Sequence, residues 1–445
     1  MYNKLFATFS RIRESSLFKN FLIAGVITLL VKIVAFFKET LIASSFGLSE
    51  FLDSYFIAIL VPSFIQFVFI GALKVLFIPN YIIETRTTKQ LGSFQSFTLV
   101  AITILVIVLS ICTLVFANYL LEYLFPGHDI EFYTSVRKQI YIVLPSVLFW
   151  GYSGFLGGLL EIKNKFLVST LSQVFTPLTV IVFILFFKDF FGDYILATGI
   201  TIGGAFSFLF LLVFCVKQKI LKLDRLIVNK NIQLMIQQYK PKIISGILSG
   251  MNPFVDQYFA AQLAIGSIAA IEYGVKIPTF VVGILMIVIG NVLLPHFSKL
   301  VIDDLQQAFQ QLFKFLKIIF GGSIIMALVV IFLSHDIIAL LFERNEFTTD
   351  DTLVVGSLQQ IAFLYVPFFL TTLINVKFLT AINKNVFMAK VSFLNLVLNL
   401  VFNVILVKYY DIYGLVLATT IVYVICSIIY IGYLHKLYKK DFGYN

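Results

Sequence analysis

The chain has 445 residues, of which 60% are hydrophobic and 13% are charged, and its formal net charge is +10. A soluble domain usually carries about 25% charged residues, and a water-exposed surface needs polar cover that this chain cannot supply. The composition therefore excludes a soluble enzyme, a nucleic-acid-binding domain and a disordered chain. It indicates a protein of the lipid bilayer with no nucleic-acid partner.

Twelve apolar blocks are long enough to cross a bilayer, which takes about 20 residues each. Each must be helical, since lipid offers no partner for a free backbone amide. The sequence thus predicts an all-α polytopic membrane protein. Its predicted spans are 18–45, 52–78, 93–118, 136–158, 165–187, 192–216, 241–263, 268–294, 312–334, 357–380, 386–408 and 412–434.

Basic residues gather on alternate connections between these spans. The segment 217–242 holds seven lysines and arginines against the single acid Asp224, and the N-terminal segment and the C-terminal tail are also basic. Connections on the cytoplasmic side of a membrane carry such an excess. Both termini are therefore predicted to be cytoplasmic, and most of the positive charge reflects the orientation of the chain in the membrane.

An internal repeat divides the chain. Pro62 is followed 17 residues later by Pro79, as Pro278 is by Pro295, and the upstream turn at Gly47 has a counterpart at Gly266. Two parallel repeats of six helices around a central cavity are typical of secondary transporters. The predicted organisation is a cytoplasmic segment 1–17, a bundle 18–216, a basic linker 217–240, a bundle 241–434 and a cytoplasmic tail 435–445. Within the linker region, Leu223, Leu226, Ile227 and Ile232 have the spacing of a short interfacial helix.

Charges inside the spans are the first candidate site, because each costs about 2.5–3.5 kcal/mol or more in a bilayer. They concentrate on the first, second, seventh and eighth spans. Two readings stay open: ion pairs that hold helices together, or a water-filled cavity for an anionic substrate, which we favour. Lys74 and Lys377 lie near span ends, where snorkelling accounts for them. The concentrated charges are Lys32, Lys38, Glu39, Asp53, Asp256, Glu272 and Lys276.

A second pattern lies in the eleventh span, where Asn395, Asn399 and Asn403 recur every four residues. Interhelical hydrogen bonding is the simpler explanation of such amides. The alternative is a cation site, in which amide oxygens join a carboxylate such as Asp256. The three cysteines lie in separate apolar blocks without paired spacing, so no disulfide framework or cysteine metal site is expected.

Two stretches carry a family resemblance. They are Lys38-Glu39-Thr40…Ala43…Phe46-Gly47…Asp53…Pro62…Gly71-Ala72…Phe77-Ile78-Pro79-Asn80-Tyr81 and Val255-Asp256…Ala260…Leu263…Gly266-Ser267…Tyr273…Lys276…Pro278…Gly283…Leu293-Leu294-Pro295, with a weaker third at Gly414-Leu415…Leu417-Ala418-Thr419-Thr420. These resemble the signatures of the MurJ/MviN family, within the multidrug/oligosaccharidyl-lipid/polysaccharide exporter superfamily. The resemblance implies a flippase of the bacterial inner membrane that carries lipid-linked sugar precursors outward.

The resemblance also implies roles for individual residues. Lys32, Lys38 and Lys276 would bind the diphosphate of the lipid carrier, and Glu39 and Glu272 are placed with them. Asp53 would lie near the outer end of the cavity, and Gln66 aligns with an arginine of the family. A sodium site would fall on Asp256, Asn395, Asn399 and Thr419.

This chain departs from the family's pattern in having lysine where arginine is usual, and twelve predicted spans where fourteen are common. The expected cargo is a polyprenyl-diphosphate-linked glycan like lipid II. A capsule, O-antigen or other polysaccharide unit is the alternative, and a multidrug antiporter is disfavoured because lysines do not suit cationic cargo. We expect a monomeric transporter without enzymatic activity or bound cofactor, driven by sodium or protons.

Overall fold

The computed structural model describes the backbone of residues 16–442 and the side chains of residues 25–286, 293 and 296–442. Helices make up nearly all of this part of the chain, and its one β pairing is the isolated bridge between Arg344 and Phe347. The prediction of an all-α protein is confirmed. Most of the predicted segment 1–17 lies outside the described residues, as do the last three residues of the tail.

The first half begins with two helices that contain the charged residues of the first two predicted spans. The helices are α1 (Ser16–Phe46), α2 (Glu50–Phe64), α3 (Gly71–Arg86), α4 (Leu91–Leu124), α5 (Ile130–Ile162), α6 (Phe166–Leu171), α7 (Phe175–Phe191) and α8 (Ile195–Lys217). A π-helical segment, Ile65–Ile70, joins α2 to α3, and short 3-10 turns lie on either side of α7. Such π segments carry one extra residue per turn and often occur at functional sites.

The second half contains the remaining helices, several of which are short. They are α9 (Lys230–Gly250), α10 (Asn252–Ala260), α11 (Ser267–Gly274), α12 (Lys276–Asp303), α13 (Leu305–Phe332), α14 (Ser334–Phe342), α15 (Thr349–Phe363), α16 (Val366–Ala381) and α17 (Asn385–Phe442). The last is two helices joined at Asp411, whose φ of 51° breaks the helical path.

Seven helices in the described part of the chain are long and apolar enough to cross a membrane, or eight if the bent pair α15–α16 is one span. Two of these segments, Phe166–Lys217 and Asn385–Phe442, each contain two predicted spans. The exact number of spans and their arrangement in two six-helix repeats therefore remain predictions. The two matched glycines do both have a positive φ, which is 55° at Gly47 and 86° at Gly266.

The chain forms two compact units. The first comprises residues 1–45 and 54–250, and the second comprises residues 46–53 and 251–445. These limits differ from the predicted ones at 216 and 241: α9 continues the first unit to Gly250, and the turn before Asp53 belongs to the second unit. The sequence could not show this, because α9 is too polar to be separated from a linker by hydropathy alone.

The predicted interfacial helix around Leu223 is wrong. Residues 220–229 form no regular structure and run along the start of α4 instead. The Ser93 hydroxyl donates to the Ile227 carbonyl and accepts from the Ile227 amide, and the Gln95 side chain accepts from the Lys222 amide at 2.7 Å. Side chains of α4 thus satisfy the linker backbone, which removes the need for a helix of its own.

Candidate functional site

A cavity of about 860 Å³ lies within the first unit. Three of its walls are stripes of mostly small or polar residues in which positions i, i+3, i+4 and i+7 recur, so that one helical face turns towards the cavity. The stripes are Trp150, Ser153, Gly154 and Gly157 on α5; Ser169, Ser172, Gln173 and Thr176 from α6 to α7; and Lys242, Ser245, Gly246 and Ser249 on α9. Residues of α1, α2, the π segment, α3 and α8 complete the lining.

The described residues that line this cavity include three lysines and no aspartate or glutamate. Lys38 Nζ lies 2.7 Å from Glu39 Oε1, and Lys74 Nζ lies 3.9 Å from Glu161 Oε1. Lys242 is exposed to the cavity. Because no acid is among the described lining residues, the polar part of the lining presents ammonium groups, hydroxyls and amides, which suit an anionic ligand.

The structure places two of the predicted site residues, Lys38 and Gln66, in the wall of this cavity. Gln66 lies in the π segment, where its carbonyl accepts from the Gly71 amide, and its side-chain oxygen is buried without a partner among the described residues. Glu39 is the ion-pair partner of Lys38. Lys32 is half-buried on α1 but is not among the lining residues.

Sequence reasoning missed Lys74 and Lys242 as site residues. Lys74 was expected to snorkel at a span end, but the helical segment that contains it continues to Arg86, so it lies well inside. Lys242 was counted as part of a basic connection. The signal that could have identified Lys242 is its i, i+3, i+4, i+7 stripe with Ser245, Gly246 and Ser249, which hydropathy averages hide. No comparable stripe contains Lys74.

Asp53 caps a helix of the second unit. Its side chain is buried, and its two carboxylate oxygens accept hydrogen bonds from the amides of Gly266 at 2.6 Å and Ala269 at 2.8 Å. Gly266 is the N-cap of α11 and has no side chain to cap it. Asp53 supplies the missing capping oxygen, and its negative charge suits the positive end of the helix.

The second unit contains a smaller cavity, of about 220 Å³, lined in part by Asp256, Glu272 and Thr419. Glu272 Oε2 lies 3.9 Å from Lys276 Nζ. These two residues, four apart in the chain, therefore form a loose ion pair. The half-buried Asp256 and Glu272 give this cavity an acidic wall, in contrast to the basic lining of the larger one.

The asparagines of α17 surround Asp256. Asp256 Oδ1 accepts from Asn403 at 2.9 Å and from Asn399 at 3.2 Å, and Asn399 also lies 3.5 Å from the Thr419 hydroxyl. Asn395 instead accepts from Asn252 at 2.8 Å and does not reach Asp256 through any hydrogen bond given by the described residues. The structure thus brings Asp256, Asn399 and Thr419 together and adds Asn403, while Asn395 stands apart.

A sequence model of the family described as "Lipid II flippase MurJ" matches residues 42–443. The chain belongs to this family. The resemblance seen in the sequence is confirmed, and with it a multi-pass protein of the inner membrane.

Two curated relatives show how far the similarity to the MurJ family extends. The probable lipid II flippase MurJ of Buchnera aphidicola subsp. Schizaphis graminum is 28% identical over 425 residues, which cover 91% of this chain and 81% of the relative. The probable lipid II flippase MurJ of Helicobacter pylori strain 26695 is 25% identical over 407 residues, covering 86% and 87%.

Solved structures agree on the fold. A lipid II flippase MurJ in an inward closed conformation superposes with a TM-score of 0.78 at 22% identity, covering 93% of this chain and 87% of that one. An inward-facing multidrug resistance MATE family transporter of the MOP superfamily gives a TM-score of 0.74 at 13% identity, covering 94% and 98%. The fold is therefore shared between MurJ and multidrug transporters, and function must be argued from the residues of the sites.

Proposed function

We propose that this protein moves lipid II, a polyprenyl-diphosphate-linked glycopeptide, from the inner to the outer leaflet without changing it chemically. Membership of the MurJ family supports this proposal, and the basic cavity of the first unit is the observation that carries it. A cationic drug would find three lysines there, so the multidrug alternative is disfavoured. The curated relatives bear the lipid II name, which gives no support to a capsule or O-antigen cargo.

In this proposal, ammonium groups bind the diphosphate while the lipid tail stays in the bilayer. Lys32, Lys38 and Lys276 are the proposed ligands, because lysine is a flexible point charge that pairs with phosphate oxygens without the fixed geometry of arginine. Glu39 and Glu272 hold Lys38 and Lys276 in place through their ion pairs. The site opens in turn to each leaflet, and the protein acts as a monomer with cytoplasmic termini.

The test is transport of fluorescent lipid II by the purified protein in vesicles, followed by accessibility of the label at the outer leaflet. Lys38→Gln and Lys276→Gln should each lower the initial rate at least tenfold, since a charge-assisted contact to phosphate is worth about 1.5–3 kcal/mol. Lys299→Gln, at an exposed position, is the matched control. Unchanged rates in both test variants would remove the lysines from the diphosphate site.

We propose further that the cluster around Asp256 couples transport to an ion. The donor set fits sodium: one carboxylate, the Thr419 hydroxyl, and the Asn403 side-chain oxygen, which is buried and has no partner among the described residues. Hard cations prefer such oxygens. A bound sodium would supply a positive charge beside Asp256, and the amides of Asn399 and Asn403 would have to turn their oxygens towards it.

Ion coupling is tested by melting the purified protein over a series of sodium concentrations at constant ionic strength. Sodium should raise the melting temperature of the wild type, and Asp256→Asn should abolish the rise while leaving the chain folded. A parallel pH series without sodium tests protons as the coupling ion. A sodium effect that survives in Asp256→Asn would place the ion elsewhere.

A further inference from the structure

Lys74 and Lys242 have no role in the diphosphate site proposed above, yet both line the cavity of the first unit. The ion pair of Lys74 with Glu161 is loose, at 3.9 Å, and its side chain is 43% exposed. Glu161 also accepts a hydrogen bond from Ser169 at 3.1 Å, so its charge is partly engaged elsewhere. Lys74 can therefore turn to a ligand carboxylate at little cost.

The positive charge of Lys242 is less well compensated than that of Lys74. No carboxylate of the described residues lies within ion-pair distance of its ammonium group, and none lines the cavity beside it. It stands on the same face of α9 as Ser245 and Ser249. A positive charge next to hydroxyl groups is a recognition surface for an oxygen-rich anion, because hydroxyls can donate to the same oxygens that the ammonium attracts.

Two buried hydrogen-bonding atoms in the wall point independently to a polar ligand. Gln66 Oε1 and Ser153 Oγ are buried and have no hydrogen-bond partner among the described residues. Buried polar atoms normally have a hydrogen-bond partner, so a buried polar atom without one needs an explanation, such as a ligand that supplies the partner. Both residues line the cavity, as does Gln173, so a rotation of either side chain would present its unpartnered atom to a ligand with hydroxyl and amide groups.

Trp150 adds an aromatic side chain to the same wall. It is the single tryptophan of the chain. An aromatic ring among hydroxyls and amides is the lining expected for a ligand that has apolar faces and polar edges, as sugar rings have. The cavity volume, about 860 Å³, lies within the usual range for a ligand site and accommodates a substantial part of a glycopeptide.

We infer that this wall is a recognition subsite for the carboxylate-bearing end of the head group. Trp150 and the serine and glutamine side chains contact the sugar, and Lys74 and Lys242 pair with carboxylates of the attached peptide. The inference rests on the proposed function and deepens it, because it explains how a peptide-bearing precursor is preferred over a neutral lipid-linked sugar. An acidic sugar would offer the same carboxylate chemistry, and the experiment separates the two sources.

The test uses soluble nucleotides that share one diphosphate and differ in the group attached to it. Equilibrium dialysis of the full chain in detergent measures the affinity for UDP-N-acetylmuramyl pentapeptide, UDP-N-acetylglucosamine and UDP-glucuronic acid. The wild type should bind the pentapeptide nucleotide about tenfold more tightly than UDP-N-acetylglucosamine, as one or two exposed charge pairs allow. Quenching of Trp150 fluorescence should accompany binding of the pentapeptide nucleotide.

Variants separate this subsite from the diphosphate site. Lys74→Gln with Lys242→Gln should reduce the tenfold preference to less than about twofold without weakening UDP-N-acetylglucosamine. Lys38→Gln should weaken all three nucleotides alike. Lys163→Gln, an exposed lysine of the same unit outside the cavity, should change nothing. A wild type that prefers UDP-glucuronic acid to the pentapeptide nucleotide would overturn the peptide assignment.

Failure of this inference differs from failure of the proposed function. If the wild type flips lipid II but the Lys74 and Lys242 variant keeps its nucleotide preference, the subsite is wrong and the function stands. If the wild type flips lipid II but binds no pentapeptide nucleotide, the subsite is likewise refuted. If the wild type neither flips lipid II nor binds any of the nucleotides, the proposed function itself fails.

Discussion

Replacing Asp53 with alanine removes the acceptor of two buried backbone amides, those of Gly266 and Ala269. Hydrogen bonds to a charged acceptor contribute about 1.5–3 kcal/mol each, and a buried donor left without a partner costs about 1–3 kcal/mol. No side chain of α11 can replace the lost cap, because its N-cap is a glycine. We therefore expect Asp53→Ala to lower the free energy of unfolding of the second unit by about 3 kcal/mol.

The assay is thermal unfolding of the purified protein in detergent, without substrate. For a unit of about 200 residues, a loss of about 3 kcal/mol corresponds to a fall of about 6–12 °C in melting temperature. Asp53→Asn keeps one acceptor oxygen and should fall about half as far. Glu50→Ala is the matched control, since Glu50 lies in the same helical turn but is exposed.

The comparison decides between capping and substrate binding as the role of Asp53. A residue that acts solely on the substrate would leave the melting temperature of the substrate-free protein unchanged. If Asp53→Ala melts within about 1–2 °C of Glu50→Ala, the two hydrogen bonds do not stabilise the second unit as argued, and the assignment of Asp53 to the cap is refuted.

Three further predictions concern the stability of the protein outside the two cavities. Glu84 is buried and accepts hydrogen bonds from three side chains and one backbone amide. Glu84→Ala should therefore lower the free energy of unfolding by about 2–4 kcal/mol in a denaturant titration. Glu122→Ala, at an exposed position, is the control and should not lower it. A Cβ at Gly203 would lie 2.6 Å from the backbone of the neighbouring helix, so Gly203→Ala should lower the melting temperature, while Gly322→Ala, in open space, should keep or raise it. Threonine hydroxyls that donate to Glu343 lower the pKa of this carboxyl in the folded protein, so its contribution to stability is complete above pH 4.5 and is lost as the pH falls through the lower folded value. Glu343→Gln should therefore weaken the dependence of the melting temperature on pH in that window. An unchanged dependence would contradict the assignment.

Sequence patterns were sufficient for the features that are local or repeat along one helix. Four-residue spacing grouped Asn399 with Asn403, and both donate to Asp256 in the structure. Glu272 and Lys276 are also four residues apart, and the structure contains an ion pair between them. These inferences work because residues three, four or seven apart share a helical face whatever surrounds the helix. The grouping of Asp256 with Asn395 and Asn399 came from the family resemblance.

Features that depend on distant segments could not be predicted in this way. The cap on α11 comes from Asp53, more than 200 residues earlier in the chain, and no local pattern links an aspartate to a remote helix end. The path of residues 220–229 is set by Ser93 and Gln95, whose side chains satisfy the linker backbone. The spacing of apolar residues within the linker favoured a helix. That spacing contains no information about Ser93 and Gln95, so it could not predict the observed path.

The π segment between α2 and α3 has a consequence for how the wall of the larger cavity is assembled. A residue of helix contributes about 100° of rotation and 1.5 Å of length. Deleting one residue between Ile65 and Ile70 would restore ordinary helical hydrogen bonding and shorten the span by a negligible amount. It would also swing Ser63 about 100° away from the face that carries Lys74. The number of residues in the π segment thus fixes the angular relation between the two ends of this span. A one-residue deletion there would disrupt the wall even though both ends remained helical.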